Sequence, residues 1–486
     1  MWQWIDFNIA FDIADAFQTR KRIGAINILF LFTNFLTDEY HGLVAFILSS
    51  ANIMMPLFAL GSNNTLIKFY TRFNTENDIN SFLTFMLFVP LIFIIPIGFI
   101  GWLSYDWISE LLSHKNPIIH NYVWLIYIAA ICFAYFEIFY AWTKVQMQSV
   151  FGNIMKELFH RIAILILFLL IHLNLFSVDY FIYAVVTIYL CRTLIMMLYA
   201  FYLKRPKFNC DVIPQFSSVI KYALLIVLAG SIGGVILEID KFMIGEINAI
   251  ENVAYYGVAI YMASVISVPV RSMHQITNPI TAKLLNDKDT TGLRDLYQKS
   301  SLNLFIVSGL IFVLIVLNLN QLYDMIPSEF RNGFFVVFIV GIAKLTDNVS
   351  GTNNAILFNS EHYGYALILG IITAIMVVVL NLILIPNYGI NGAAIASFIA
   401  IIIYNISKLT LVFVKFKMLP FTYNSLKTLV LIVVIMLLFY FWDFRLNPVI
   451  NIVLKSSLII CCYLYTVHKL NLSSDITSIF DKLLRF

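Results

Sequence analysis

The stretch that decides the fold runs from Val235 to Lys283: VILEIDKFMIGEINAIENVAYYGVAIYMASVISVPVRSMHQITNPITAK. Two long apolar segments meet here at a short acidic turn, 246–251. Charged residues lie inside the apolar segments, at Glu238, Asp240, Lys241 and Arg271. A charge inside a membrane-length helix is costly, so it usually faces a partner or a wet cavity. We therefore interpret the stretch as the first pair of membrane helices in the second half of the chain.

The amino-acid composition of the whole chain is also that of a membrane protein. Of the 486 residues, 61% are hydrophobic and 12% are charged, and the mean hydropathy is +0.87. Soluble domains have about 45–50% apolar and about 25% charged residues. The apolar runs are continuous rather than alternating, which favours helices over membrane strands. The chain is predicted to be an all-α polytopic membrane protein. Its five cysteines form no CxxC pair, so we expect neither a disulfide framework nor a metal site.

Polar breaks divide the chain into about fourteen membrane spans. A cytoplasmic N-terminal segment, 1–22, precedes a six-helix lobe at 23–203. A cytoplasmic linker, 204–217, leads to a second six-helix lobe at 218–417, and an additional helix pair with a cytoplasmic tail occupies 418–486. The spans are predicted at about 23–36, 42–62, 82–104, 118–142, 157–176, 179–203, 218–245, 253–276, 300–320, 331–350, 363–385, 391–414, 425–442 and 448–468.

The distribution of basic residues predicts the orientation. With the N-terminus in the cytoplasm, the inner loops hold most of the lysines and arginines. The outer loops hold few of them: Lys115, Arg331 and Arg445. An even number of spans then leaves both termini in the cytoplasm.

The two lobes are similar to each other in sequence. When Tyr40 is paired with Tyr255, three further identities follow: Gly42 with Gly257, Ser49 with Ser264, and Lys68 with Lys283. Six helices per lobe give both lobes the same orientation. This predicts parallel repeats related by a pseudo-two-fold axis along the membrane normal, with the substrate path between them.

Four motifs in order carry a resemblance to a known family. They are Asp240–Gly245 (DKFMIG), a following turn with Val253, Tyr256 and Ala259, a late segment with Asn381, Leu384, Ile385, Pro386, Gly389, Gly392, Ala393 and Ala394, and the turn Asp38–Gly42. Together they resemble the polysaccharide-transporter branch of the multidrug/oligosaccharidyl-lipid/polysaccharide (MOP) flippase superfamily, the Wzx-type O-antigen flippases. The residues before Arg20 depart from that pattern, because Asp12, Asp15 and the basic cluster at 20–22 interrupt the first helix.

The resemblance implies a transporter rather than an enzyme. The expected activity is the translocation of an undecaprenyl-pyrophosphate-linked oligosaccharide across the bacterial inner membrane by alternating access. The expected partners are this lipid-linked substrate, membrane lipid, a coupling proton or sodium ion, and polysaccharide polymerase or assembly proteins. We expect no nucleic acid and no cofactor. A Walker-type phosphate loop is absent from the sequence, which argues against ATP coupling within the chain.

The charges inside the spans are the candidate site residues. Basic groups supply the donors that a pyrophosphate needs, and the candidates are Arg192, Arg271, Lys344, Lys241 and Lys68. Carboxylates are candidates for the coupling ion: Glu238, Asp240, Asp347 and Glu137. A polar run at 348–354 either lines the inner mouth of a cavity or begins a loop.

The competing interpretation of these charges is structural. Glu238 and Lys241 stand three residues apart on one helix face, which suits a local ion pair. The same spacing separates Lys344 from Asp347. Lys68 and Lys408 lie near span ends, where lysines commonly snorkel to the interface. Arg192 and Arg271 lack a local partner, which favours a role in a cavity.

Two other functions compete with the flippase hypothesis. A multidrug or cation antiporter of the same superfamily would rely on carboxylates in its cavity rather than arginines. A membrane glycosyltransferase or ligase usually carries a sizeable loop with catalytic carboxylates or histidines, and the outer loops predicted here are short and hold no such cluster.

Overall fold

A computed structural model describes residues 24–483, except for residues 25, 74, 206, 208–215 and 445. The predicted N-terminal segment 1–22 and most of the linker 204–217 lie outside the described residues. Every regular element in the described part of the chain is helical. The described residues form two compact units that meet in sequence between Ala254 and Tyr255.

The first unit begins with a π-helical turn, Ile26–Leu31. Its α-helices follow in chain order: α1 (Phe32–Phe35), α2 (Asp38–Ala59), α3 (Ser62–Phe69), α4 (Glu76–Phe88), α5 (Leu91–Leu103), α6 (Tyr105–Ser113), α7 (Val123–Val145), α8 (Val150–Ile154), α9 (His160–His172), α10 (Phe181–Leu203) and α11 (Phe216–Ile247). Short 3-10 turns are found at Tyr70–Arg72, Pro117–Tyr122 and Val178–Tyr180, and a second π-helical turn at Met155–Phe159.

Helix α12 (Glu251–Ser264) crosses the boundary between the units. The helices after it are α13 (Val268–Asn286), α14 (Thr290–Leu317), α15 (Leu319–Tyr323), α16 (Phe334–Val349), α17 (Asn353–Phe358), α18 (Tyr363–Phe416), α19 (Tyr423–Tyr440), α20 (Pro448–Lys469) and α21 (Ser474–Leu483). Short 3-10 turns are found at Val265–Ser267 and Ser328–Gly333.

The helices match the predicted membrane spans. Ten helical segments among the described residues are long and apolar enough to cross a bilayer. One of them, α18, is broken at Gly389, which has φ 56° and ψ −135°, a backbone conformation that glycine adopts readily. The break divides α18 into two membrane-length segments. Helical segments at 26–35, 150–172 and 216–247 occupy the positions of predicted spans one, five and seven. The all-α architecture of a polytopic membrane protein is thus confirmed, and the helices are compatible with the predicted count of about fourteen spans.

The first unit is organised around α7. Helices α2, α3 and α10 pack against it, and α11 packs against α2 and α3. The core here is rich in aromatic side chains, including Phe82, Phe136 and Trp142. Helix α11 is the predicted first helix of the second lobe, yet its contacts place it in the first compact unit. The division into six-helix lobes at 23–203 and 218–417 stays a prediction.

The second unit is organised around α14. Helices α13, α16 and α19 pack against α14, and α18 packs against α16 and α17. The C-terminal helix pair joins the same core through Phe312, Ile432 and Ile459. The hydroxyl of Tyr463 donates a hydrogen bond to the carbonyl oxygen of Ile306 over 3.0 Å. The additional helix pair is therefore an integral part of this unit.

Large apolar side chains also cover the outside of the spans. Ile92 and Ile95 on α5, and Ile375 and Leu382 on α18, are all exposed. Such surfaces are costly in water and favourable against lipid tails. The protein is therefore a multi-pass membrane protein.

Candidate functional site

Arg192 is the most deeply buried arginine among the predicted site residues. It lies on α10, and its side chain is 7% exposed. The guanidinium carbon lies 4.0 Å from the ring centroid of Phe136 and 4.8 Å from that of Tyr189. Its Nε has no hydrogen-bond partner, and no ion pair to it is found within the described residues. The positive charge therefore rests on aromatic faces, which leave its N–H donors available for an anion.

A second group of charges in the first unit surrounds Glu137. The Nζ of Lys156 lies 2.5 Å from the Glu137 carboxylate. Lys156 belongs to the π-helical turn Met155–Phe159, a local geometry that is frequent at functional sites. Lys144 adds a further ammonium group 3.7 Å from the ring centroid of Tyr140. Glu137 also interacts electrostatically with Arg192, so two predicted site residues share one charged cluster.

The sequence interpretation missed Lys156 as the partner of Glu137. A signal for it exists, because the two residues lie at nearly equal distances on either side of the short loop after α7. In two antiparallel helices, such residues face each other at the same level. Predicting this pair requires a comparison of residues on adjacent spans rather than of residues within one span.

On α11 the predicted local pair is confirmed. The Nζ of Lys241 lies 2.7 Å from Oε2 of Glu238, and both side chains are partly exposed. Asp240 is 4% exposed. Lys68, at the end of α3, is exposed, and its Nζ lies 3.6 Å from the ring centroid of Tyr222.

In the second unit the predicted pairing of Lys344 with Asp347 is wrong. The Asp347 carboxylate lies 3.7 Å from Nζ of Lys408 instead. The prediction that Lys408 snorkels is also wrong, since its side chain is 1% exposed and its Nζ donates to Oδ1 of Asn354 over 3.0 Å. The reason is tertiary: α18 packs against α16 and α17, and Lys408 reaches both helices from α18.

Two buried asparagines of the polar run at 348–354 have a structural role. Asn348 donates from Nδ2 to the carbonyl oxygen of Ile266 over 2.8 Å and to Oγ of Ser308 over 2.7 Å. Asn353 donates to the hydroxyl of Tyr297 over 3.0 Å. Both asparagines are buried. They join helices of the second unit rather than line a cavity, and the chain then continues into α17.

Arg271 and Lys344 form no ion pair in the part of the chain that the structure describes. Arg271 is exposed on α13, and Lys344 is half-buried on α16. The ion pairs found among the described residues engage neither of them, nor Arg192. In contrast, the carboxylates of Glu137, Glu238 and Asp347 each have a lysine partner. Three of the four candidate carboxylates are thus paired with a lysine, whereas Arg192, Arg271 and Lys344 form no ion pair among the described residues.

Comparisons with known proteins bear on the fold and on the family. Residues 18–285 match the model of a family described as "Polysaccharide biosynthesis protein". Among curated proteins no significant match is found.

Solved structures of transporters are similar to most of the chain, and one of them to nearly all of it. The lipid II flippase MurJ in an inward closed conformation has a TM-score of 0.72 at 16% identity, and the match covers 98% of this chain and 100% of MurJ. An inward-facing multidrug resistance MATE family transporter of the MOP superfamily has a TM-score of 0.61 at 13% identity, covering 82% and 98%. A MOP superfamily transporter from Pyrococcus furiosus has a TM-score of 0.56 at 12% identity, covering 84% and 94%. At these identities the likeness establishes the fold alone.

Proposed function

Because the chain belongs to the polysaccharide biosynthesis protein family and has the fold of MOP superfamily transporters, we propose that it is a lipid-linked oligosaccharide flippase. Its substrate is an undecaprenyl-pyrophosphate-linked repeat unit of a surface polysaccharide such as O-antigen. The protein acts in the bacterial inner membrane, with both termini in the cytoplasm. It works by alternating access between its two lobes.

The observation that carries this proposal is the state of Arg192. A guanidinium that is 7% exposed, with no ion pair or hydrogen-bond acceptor among the described residues and only longer-range attraction from Glu137, is unfavourable in a membrane protein unless a ligand supplies further countercharge. A pyrophosphate provides several anionic oxygens, and the planar guanidinium suits them. We assign Arg192 to the substrate phosphates.

The other basic candidates extend this assignment. Arg271 and Lys344 have no acidic partner among the described residues, and Lys68 is held only by ring contacts there. Lys241 is already engaged by Glu238, so its role requires that pair to open when substrate binds. Coupling to a proton or sodium ion at Glu238, Asp240, Asp347 or Glu137 remains part of the proposal.

The charge balance favours this function over a cation antiporter. A cavity for cations requires carboxylates that are free to exchange a lysine partner for the substrate. Glu137, Glu238 and Asp347 each form an ion pair with a lysine, whereas Arg192 and Arg271 form none within the described part of the chain. The site is therefore suited to an anionic substrate.

The test is complementation of a bacterial strain that lacks its own flippase. The wild-type protein is expected to restore surface polysaccharide. Arg192→Ala and Arg271→Ala should each reduce export roughly tenfold or more at equal protein level, because a charge-assisted hydrogen bond contributes about 1.5–3 kcal/mol. Export is quantified by labelling the surface polysaccharide.

The control variant is Arg331→Ala, which removes an exposed arginine that pairs with Asp324. Surface ion pairs contribute little, so export should be unchanged. Glu137→Gln, read together with the arginine variants, tests the antiporter alternative, because an antiporter relies on that carboxylate and on neither arginine. Full export by both arginine variants, or export that depends on Glu137 but on neither arginine, would reject the assignment.

A further inference from the structure

A polar pocket lies between α13 and α17 of the second unit. Its volume is about 360 Å³, and the residues that define its chemistry are His274, Asn278, Pro279, Asn354, Phe358 and Asn359. Small-molecule pockets are about 300–1,000 Å³, so this one suits a single small unit such as one sugar residue.

Hydrogen bonds made by two of the lining carboxamides determine which of their side-chain atoms remains free to bind a ligand. Lys408 donates to Oδ1 of Asn354 over 3.0 Å, which turns the amide oxygen towards Lys408 and leaves Nδ2 as a donor for the pocket. Asn359 donates from Nδ2 to the carbonyl oxygen of Ala355 over 2.9 Å, which leaves its Oδ1 as an acceptor. The pocket thus presents a defined donor and a defined acceptor.

The imidazole of His274 adds a further polar ring to the lining. Its Nε2 lies 3.3 Å from the carbonyl oxygen of Gly351. A carbonyl oxygen only accepts hydrogen bonds, so Nε2 carries a proton and donates to it. Asn278 supplies a further carboxamide, and Phe358, which is 49% exposed, supplies an apolar ring.

No aspartate, glutamate, lysine or arginine is among the lining residues. Lys408 lies behind Asn354 and is already engaged by Asp347. A phosphate or a carboxylate sugar would therefore find no countercharge in the lining. Hydroxyl and acetamido groups, in contrast, each need a donor and an acceptor with an adjacent apolar surface, which this lining provides.

We propose that this pocket is a subsite for one neutral sugar residue of the substrate. The proposal rests on the flippase function proposed above and adds the class of sugar to it. The pocket includes the last turns of α13, close to Lys283 and Lys288. These basic residues place this end of α13 on the cytoplasmic side. The sugar would therefore be received on the side where lipid-linked repeat units are loaded.

The test is saturation-transfer-difference NMR on the full-length protein in lipid nanodiscs. The probes are free N-acetylglucosamine, galactose and glucuronate, each titrated to tens of millimolar. We expect transfer to at least one neutral sugar and none, or much less, to glucuronate. Asn354→Asp is nearly isosteric, keeps the oxygen that faces Lys408 and replaces the donor with an acceptor. It should weaken sugar binding about fivefold to tenfold, the effect of one hydrogen bond.

The matched control is Asn387→Ala, which removes an exposed carboxamide from the same unit but outside the pocket. It should bind sugar like the wild type. Absence of transfer to every neutral sugar, stronger transfer to glucuronate, or equal transfer from the wild type and Asn354→Asp would overturn the proposal. Free sugars bind whether or not the protein moves lipid, so this result is independent of export. Failure of the flippase function would appear instead as a wild-type chain that does not restore surface polysaccharide.

Discussion

Gly42, in the first turn of α2, lies directly against the backbone of Ile250. A Cβ at this position would overlap the Ile250 carbonyl oxygen, which belongs to a backbone that cannot turn aside. Gly257, its counterpart in the predicted repeat, lies within α12 and would have no other atom within 4 Å of an added Cβ. The two glycines that are paired in the predicted repeat thus have different roles. Gly42 permits close approach of the Ile250 backbone, whereas Gly257 has no such contact.

We predict opposite effects of alanine at these two glycines. Gly42→Ala should destabilise the protein by about 1–3 kcal/mol, because the turn at Ile250 must move away. Gly257→Ala should be neutral or stabilise by up to about 1 kcal/mol, since alanine favours the helix and meets no obstruction. Thermal unfolding in detergent measures both. A Gly42→Ala protein as stable as the wild type would show that the close approach is not needed.

The C-terminal end of helix α11 is capped by a side chain from another part of the first unit. Asn116, which is 5% exposed, donates to the carbonyl oxygens of Gly245 over 2.6 Å and of Asn248 over 2.8 Å. Its Oδ1 accepts a hydrogen bond from the amide of Ile250 over 2.8 Å. The last carbonyls of a helix have no partner within the helix, so Asn116 provides this cap from the segment before α7. The acidic turn after α11 is therefore anchored by one side chain.

Asn116→Ala is expected to loosen this turn. Three backbone groups would lose their partner, and an unpaired buried group costs about 1–3 kcal/mol. Hydrogen–deuterium exchange at residues 248–252 should accelerate at least tenfold, with little change in α20. Asn387→Ala, whose carboxamide bonds within its own helix, serves as the control. Unchanged exchange at Ile250 would contradict the capping role.

At the scale of the whole molecule, basic residues determine how the spans cross the membrane. The loop between α11 and α12 is flanked by the acidic residues Glu246 and Glu251, whereas the loop between α13 and α14 contains Lys288 and is flanked by Lys283 and Arg294. The positive-inside rule then predicts that the first loop lies outside and the second in the cytoplasm. Ala249 and Asp287, one in each loop, are both exposed and suit chemical labelling.

Single cysteines at these positions should label from opposite sides. After replacement of the five native cysteines, Ala249→Cys should react with a membrane-impermeant maleimide in intact spheroplasts. Asp287→Cys should react only after lysis. The reverse pattern would invert the proposed orientation while leaving the fold unaffected.

The linear order of apolar and polar residues determined the positions of the membrane helices. The predicted spans at 179–203 and 448–468 correspond to Val178–Leu203 and Pro448–Lys469. The local pair Glu238 with Lys241 also followed from helical spacing alone. These features depend on interactions between residues close in sequence and on the exposure of the helix to lipid. Neither depends on which other helix the segment packs against.

Only the tertiary structure decided which charges are neutralised. The pairing of Asp347 with Lys408 depends on how α18 packs against α16, and the pairing of Glu137 with Lys156 on the register of α7 with the segment after it. The same holds for the aromatic surroundings of Arg192 and for the carboxamides that line the sugar pocket. Hydropathy identifies a helix but not the rotation of one helix against the next. That rotation determines which side chains from different helices meet.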